Sequence, residues 1–243
     1  MKNKILSVFL GMSLVAACFL IAPSFADPNP GLDGRIWEAK EVMKEIMMAP
    51  DQSIPEELLA KCKAIAIYPS VLKGGFIFSA RWGRGVVLKR DEATGSWGPV
   101  AFSTIGGGGW GFQIGGSATD LILVIMNEPG LNGLLSTNLT LGADASVAAG
   151  PIGRNSEAST DLTLRAGILS YSRSRGLFAG IAFDGAMLTQ DNNSNTAYYG
   201  KSVTSRDILL GSAVTIQPSS QPLIDALTEY SLLWGKRVEG KKK

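Results

Sequence analysis

The chain contains no histidine. That absence removes Ser-His-Asp and Cys-His catalysis, histidine metal sites and the most common general base near neutral pH. What remains for catalysis is carboxylate chemistry. Asp120, Glu128, Asp144, Asp161 and Asp184 fall on or near strand-like segments, and a pair of such groups can hydrolyse glycosides. Nothing in their spacing selects a pair, and solvent-facing or turn roles suit any two of them. Asp191, Asn193 and Asn195 resemble the first half of a calcium loop. Thr196 stands where that loop needs glycine and Ser202 where it needs a bidentate glutamate, so a polar hairpin tip fits better. Gly106, Gly108 and Gly111 satisfy G-x-G-x-x-G inside a run of four glycines, but strand-like Phe112-Gln113-Ile114 follows where a dinucleotide site needs a helix. No cofactor and no metal is implied, and the expectation is a protein that is not an enzyme.

Binding chemistry has better candidates. Trp37, Met43, Met47 and Met48 with Lys40 and Lys44 fit an interfacial helix, and fit equally a helix packed on a sheet through the same methionines. Lys61, Lys63, Lys73, Arg81 and Arg84 form a second basic set, with Trp82 between the two arginines. At a sheet rim this set can hold a phosphate headgroup. A solvated edge kept basic to prevent strand pairing explains it too. Cys62 lies between Lys61 and Lys63, which would lower its thiol pKa if they stood close. A structural cysteine at a helix end is the plainer reading.

These residues must be positioned by a mixed fold. Ile36, Ala39, Met43, Ile46 and Met47 share a face of a helix spanning 35–48, which Pro50 ends. Glu41 and Lys44 are spaced to pair on it. Ser53-Ile54-Pro55-Glu56 reads as a capping box opening a short helix to about Cys62. From Ala64 to about Tyr199 strands dominate. The clearest alternation is Leu139, Leu141, Ala143, Ala145, Val147 and Ala149; Leu177, Ala179, Ile181 and Phe183 repeat it. Asp91 to Gly95 and Asp191 to Asn195 read as turns, and Glu128 to Leu135 as a short helix opening at Pro129. Pro222 to Trp234 is an amphipathic helix. Dense glycine in the strands predicts strong curvature. The expected fold is α+β: a strongly curved antiparallel β-sheet, barrel- or sandwich-like, with N-terminal helices and a C-terminal amphipathic helix.

One stretch is more specific. Residues 97–128, WGPVAFSTIGGGGWGFQIGGSATDLILVIMNE, place two aromatic-glycine strands around the glycine run and end on an apolar run, Leu121 to Met126. With LLAKCKAIAIYPSVLKGGFIFSARWGRGVVLKR upstream, and NLTLGADASVAAGPIG, SYSRSRGLFAGIAFDGAML and NTAYYG downstream, the series resembles the SYLF family across roughly residues 35 to 235. The resemblance implies a lipid- or membrane-associated binding protein. In members that bind phosphoinositides, an N-terminal amphipathic helix and basic residues are implicated. Here that helix carries Arg35, Lys40 and Lys44 against three glutamates, a departure that weakens selectivity for anionic lipid.

The N-terminal residues read as a targeting segment. Lys2 and Lys4 precede an apolar run, and Ser24-Phe25-Ala26 offers a signal-peptidase cut before Asp27. Val15-Ala16-Ala17-Cys18 offers a competing lipoprotein cut that would lipidate Cys18. The expected order is a signal peptide at 1–26, a polar lead-in at 27–34, one domain at 35–235 and a basic tail at 236–243. A weakly acidic body with a basic tail is a poor nucleic-acid binder. The reading is an exported, non-catalytic protein that binds phospholipid or a membrane surface in the bacterial envelope, periplasmic, outer-membrane associated or secreted. A secreted structural or protein- and polymer-binding domain of unknown partner, and a carboxylate hydrolase using Asp120, Asp144 or Asp184, stay open beside it.

Overall fold

Strand β1, Ala64–Gly75, is apolar without alternation over Ala64–Tyr68 because the fold buries both faces of that half. Ile65 and Ile67 join one core, and Ala64, Ala66 and Tyr68 join the other. Its neighbours are β2, Phe78–Lys89, and β4, Gly115–Ile125, both antiparallel. Beyond β2 lies β3, Ala101–Trp110. The structure, a computed structural model, describes residues 31–240 apart from 50–52, 76–77, 111–114, 154–165, 175–176 and 181–184.

The remaining strands are short: β5, Asn138–Thr140; β6, Val147–Ala149; β7, Ile168–Ser174; β8, Leu177–Gly180; and β9, Met187–Gln190. Eight strands follow the order β5-β9-β3-β2-β1-β4-β7-β6, and β8 pairs with β7. Only the β6–β7 pairing is parallel among the described strands. The sheet is strongly curled into a half-barrel with helices at the N- and C-terminal regions, as expected, and one more helix at Glu128–Leu134 between them. Glycine permits the curl where backbones crowd. A Cβ on Gly85 would stand 2.3 Å from the Ile67 carbonyl oxygen, and one on Gly150 would stand 2.1 Å from Tyr171 Cζ.

One face is covered by α1, Leu32–Met48, by α2, Glu56–Lys61, and by α6, Gln221–Gly240. The predicted stripe of α1 is the buried one: Ile36, Ala39, Met43, Ile46 and Met47 all lie in the core. The Trp97 Nε1–H donates to Ser231 Oγ at 3.2 Å and fastens α6. The other face is covered by α3, Glu128–Leu134, and α5, Ser205–Leu210. Between β9 and α5 runs α4, Asn192–Tyr199.

Four local expectations are corrected. The alternating run from Leu139 to Ala149 is two three-residue strands, β5 and β6, parted by a turn in which Gly142 has φ +88°. Asp191 to Asn195 is not a hairpin tip; Asp191 caps α4, its carboxylate accepting the Ser194 N–H at 3.1 Å. The Ser53 capping box does not form, because Pro55 holds the N-cap position of α2 and no side chain caps it. The C-terminal helix continues past Trp234 to Gly240, through the start of the basic tail. The leader, including Cys18, lies outside the described residues, as do Asp161, Asp184 and the last two residues of the Leu177–Phe183 alternation.

Candidate functional site

The central strands outrun their neighbours. Among the described residues β9 pairs with β3 only over Ser103–Gly106, and β7 pairs with β4 only from Asp120 inward. The far ends of β4, β1, β2 and β3 therefore project together as an apron. Within residues 70–85 and 104–119 stand Lys73, Arg81 and Arg84, and no aspartate or glutamate.

A bulge begins the apron. Ser70 has φ 52°, the left-handed region, and the pairing of β1 with both neighbours slips by one residue there. One extra residue reverses which side chains face which way. Val71 is consequently buried in the core beneath, while Leu72 is turned out beside Trp82. The Ser70 N–H donates to Asp120 Oδ1 at 2.9 Å, and the Arg173 Nε–H donates to Asp120 Oδ2 at 2.7 Å. Glu45 of α1 also pairs with Arg173. Helix and apron are thus tied through one guanidinium.

Past the bulge, cross-strand register sets the surface. Leu72 stands opposite Trp82, Trp82 opposite Gly106, and Gly106 opposite Met187. Residues directly opposite share a face. Leu72, Trp82 and Met187 are 48%, 42% and 44% exposed, so one row presents three large apolar side chains to solvent. The Arg84 guanidinium lies over the Trp82 ring at 4.7 Å from its centre. On the reverse face Lys73 stands opposite Arg81.

The sequence candidates divide. Lys73, Arg81, Trp82 and Arg84 are gathered on the apron. Lys40 and Lys44 both meet Glu41, at 3.1 and 3.9 Å. Lys61 pairs with Glu57, and Lys63 with Glu92 and Glu128. Met43 and Met47 are enclosed in the core, so the packed alternative holds for them and they offer no surface. Trp37 is 59% exposed, on the outer side of α1. Leu72 and Met187 were not among the candidates; their row exists only through pairing of strands far apart in sequence.

The other chemical candidates have structural posts. Asp120 anchors the bulge, Glu128 pairs with Lys63, and Asp144 accepts the Thr140 N–H at 2.7 Å. Gly106 to Gly109 lie within β3 and form no phosphate loop. Among the described residues no group of acidic or cysteine side chains is arranged to hold a metal. Cys62 is buried, and burial pushes its thiol up to about 12, the reverse of activation by Lys61 and Lys63. Among them also, no helix is long and apolar enough to cross a membrane.

The class of the fold is a curled half-barrel dressed with helices, here carrying a basic-aromatic apron. Residues 106–230 match the family described as Ysc84, Las17-binding protein actin regulator. The bovine SH3 domain-containing YSC84-like protein 1 is 36% identical over 197 residues, covering 79% of this chain and 57% of that protein. Its human counterpart is 35% identical over 198 residues, with the same coverage. Protein YSC84 of Saccharomyces cerevisiae is 35% identical over 180 residues, covering 73% of this chain and 38% of that protein. The chain belongs to the Ysc84, or SYLF, family. It spans 57% of the length of the animal relatives. The family description speaks of binding and regulation, not of catalysis.

Proposed function

We propose that the chain is an exported, non-catalytic domain that binds anionic phospholipid at a membrane of the bacterial envelope. The observation that carries this is the apron: Arg84 lies over an exposed Trp82 on one face, Lys73 and Arg81 stand on the reverse face, and no acid lies on the four strand ends. Cations near an anionic bilayer contribute about 1 kcal/mol each. Amphipathic rings such as indole favour the headgroup level. The leader, with Lys2, Lys4 and the cut before Asp27 or at Cys18, supports the location.

The test is sedimentation of the purified chain with phosphatidylglycerol and phosphatidylcholine vesicles across salt. Binding to the anionic vesicles that weakens with salt, and with Arg81→Ala and Arg84→Ala, is expected. No binding to either vesicle at any salt overturns the proposal. Intact mass from a native-like host tests export. A mass beginning at Asp27, or at an acylated Cys18, supports it, and an unprocessed Met1 start removes it.

The family description favours a second reading, a domain that binds a protein partner. A saturable partner retained from envelope extract in detergent, with no vesicle binding, would select that reading.

A further inference from the structure

The exposed row on the apron is not an overflow of the core. Along one face of β2, Val86 is buried, Arg84 is half-buried and Trp82 is exposed. The row between is polar in β2, β3, β9 and β5: Arg84 stands opposite Thr104, Thr104 opposite Thr189, and Thr189 opposite Asn138. Successive same-face rows are about 7 Å apart, so the exposed apolar band lies about 13 Å beyond the buried one. A polar belt parts the two.

We propose that Leu72, Trp82 and Met187 form a membrane-inserting edge, entering the acyl boundary of an anionic bilayer while Arg84 stays at phosphate level. This rests on the phospholipid reading above and adds its mode: apolar insertion, by residues of three strands, beside charge attraction. Layering and charge select the occupant. Lys73 and Arg81 flank the row on the reverse face, Arg84 stands behind it, and no acid lies on the strand ends. An apolar band bounded by cations matches a surface that is anionic outside and apolar within. Gly106 puts no side chain between Trp82 and Met187, so the row meets such a surface as one edge. Depth is limited by the backbone. β3 beyond Gly106 and β4 before Asp120 have sheet neighbours on one side only among the described strands, and unpaired backbone groups do not enter hydrocarbon. The edge therefore stops at the interface.

The experiment uses the full mature chain, vesicles of phosphatidylglycerol with phosphatidylcholine, and the double variant Leu72→Ser, Met187→Ser. Both side chains are about half exposed, so the thermal transition is expected to stay in place. Vesicle affinity at high salt, where attraction between charges is screened, is expected to fall about tenfold or more. Leu232→Ser, which changes an exposed apolar side chain of α6 off the row, is expected to leave affinity unchanged. Equal binding by the wild type and the double variant would overturn the insertion edge and leave the phospholipid reading standing. Failure of the wild type to bind any vesicle would overturn both. Self-association of the wild type that the double variant abolishes, without vesicle binding, would assign the row to a second copy of the chain.

Discussion

The backbone N–H of Ser70 donates to Asp120 Oδ1 at 2.9 Å, and this bond holds a non-glycine residue in the left-handed region with φ 52°. Because the same carboxylate meets Arg173 at 2.6 Å, one side chain fixes both the bulge and the approach of β7. Burial pushes the Asp120 carboxyl up and the Ser70 N–H pulls it back. Asp120→Ala is expected to cost about 2 kcal/mol, since it strands the Ser70 N–H and takes one of two carboxylate partners from Arg173, Glu45 remaining. Ser70→Gly removes the left-handed penalty and is expected to gain about 1 kcal/mol. Urea unfolding midpoints decide both; a neutral Asp120→Ala would deny the bulge its anchor.

Arg35 of α1 lies 3.0 Å from Asp191, at the cap of α4, and over the Phe102 ring at 5.1 Å. Burial raises the Asp191 carboxyl, but bonds from Ser194 and Arg35 outweigh it, so the folded value lies below the ordinary 3.8. A depressed carboxylate adds stability above its ordinary value and loses it as pH falls through the folded value. Asp191→Asn is therefore expected to cost roughly 2 kcal/mol at neutral pH. That deficit should shrink below about pH 4. A deficit constant with pH would show that charge on Asp191 contributes nothing.

Two glycines on neighbouring strands should behave oppositely. Gly85→Ala forces a methyl to 2.3 Å from the Ile67 oxygen and 2.4 Å from Tyr68 Cδ1, and is expected to cost about 3 kcal/mol. Gly74→Ala meets nothing within 4 Å and is expected to gain about 0.5–1 kcal/mol. Equal effects in thermal unfolding would contradict the packing described for β1 and β2.

The Cys62 thiol is wholly buried and donates to the Leu59 carbonyl at 3.4 Å, and burial pushes it up to about 12. Thiol reagents at pH 8 are expected to label it only through unfolding, at a rate rising steeply with urea. Fast labelling of the native chain would place the thiol at the surface.

Sequence patterns revealed what is local. The α1 stripe, the Asp91 turn and the helix at Pro129 each follow from neighbours within one or two turns of chain. The misreadings share a cause: one residue type serves several geometries. Asp191 offers the same carboxylate chemistry to a turn as to a helix cap. Gly142 sits inside a perfect alternation, yet its positive φ breaks the strand. Helix α5 went unread because its capping box uses Thr204 and Asp207 rather than the usual glutamate. Of the candidate site, Arg81, Trp82 and Arg84 were legible because they are adjacent in sequence. Leu72 was not, since only the extra residue at Ser70 turns it outward. Met187 was not, since nothing near it names β3 as its neighbour.

The burial of α1 sets an order of manufacture. Strands β1, β2 and β3 follow one another and pair in turn, so that meander can close while the chain is still being made. Helix α1 is synthesised before them, yet its core face packs with Leu223, Ile224 and Leu227, which come from α6. Among the described helices the first in sequence shares its core with the last. Ile36, Met43 and Ile46 share one core with Ile65 and Ile67 of β1, Val86 and Leu88 of β2, and Leu223 and Leu227 of α6, so the stripe is fully enclosed only once both the meander and the C-terminal helix are in place.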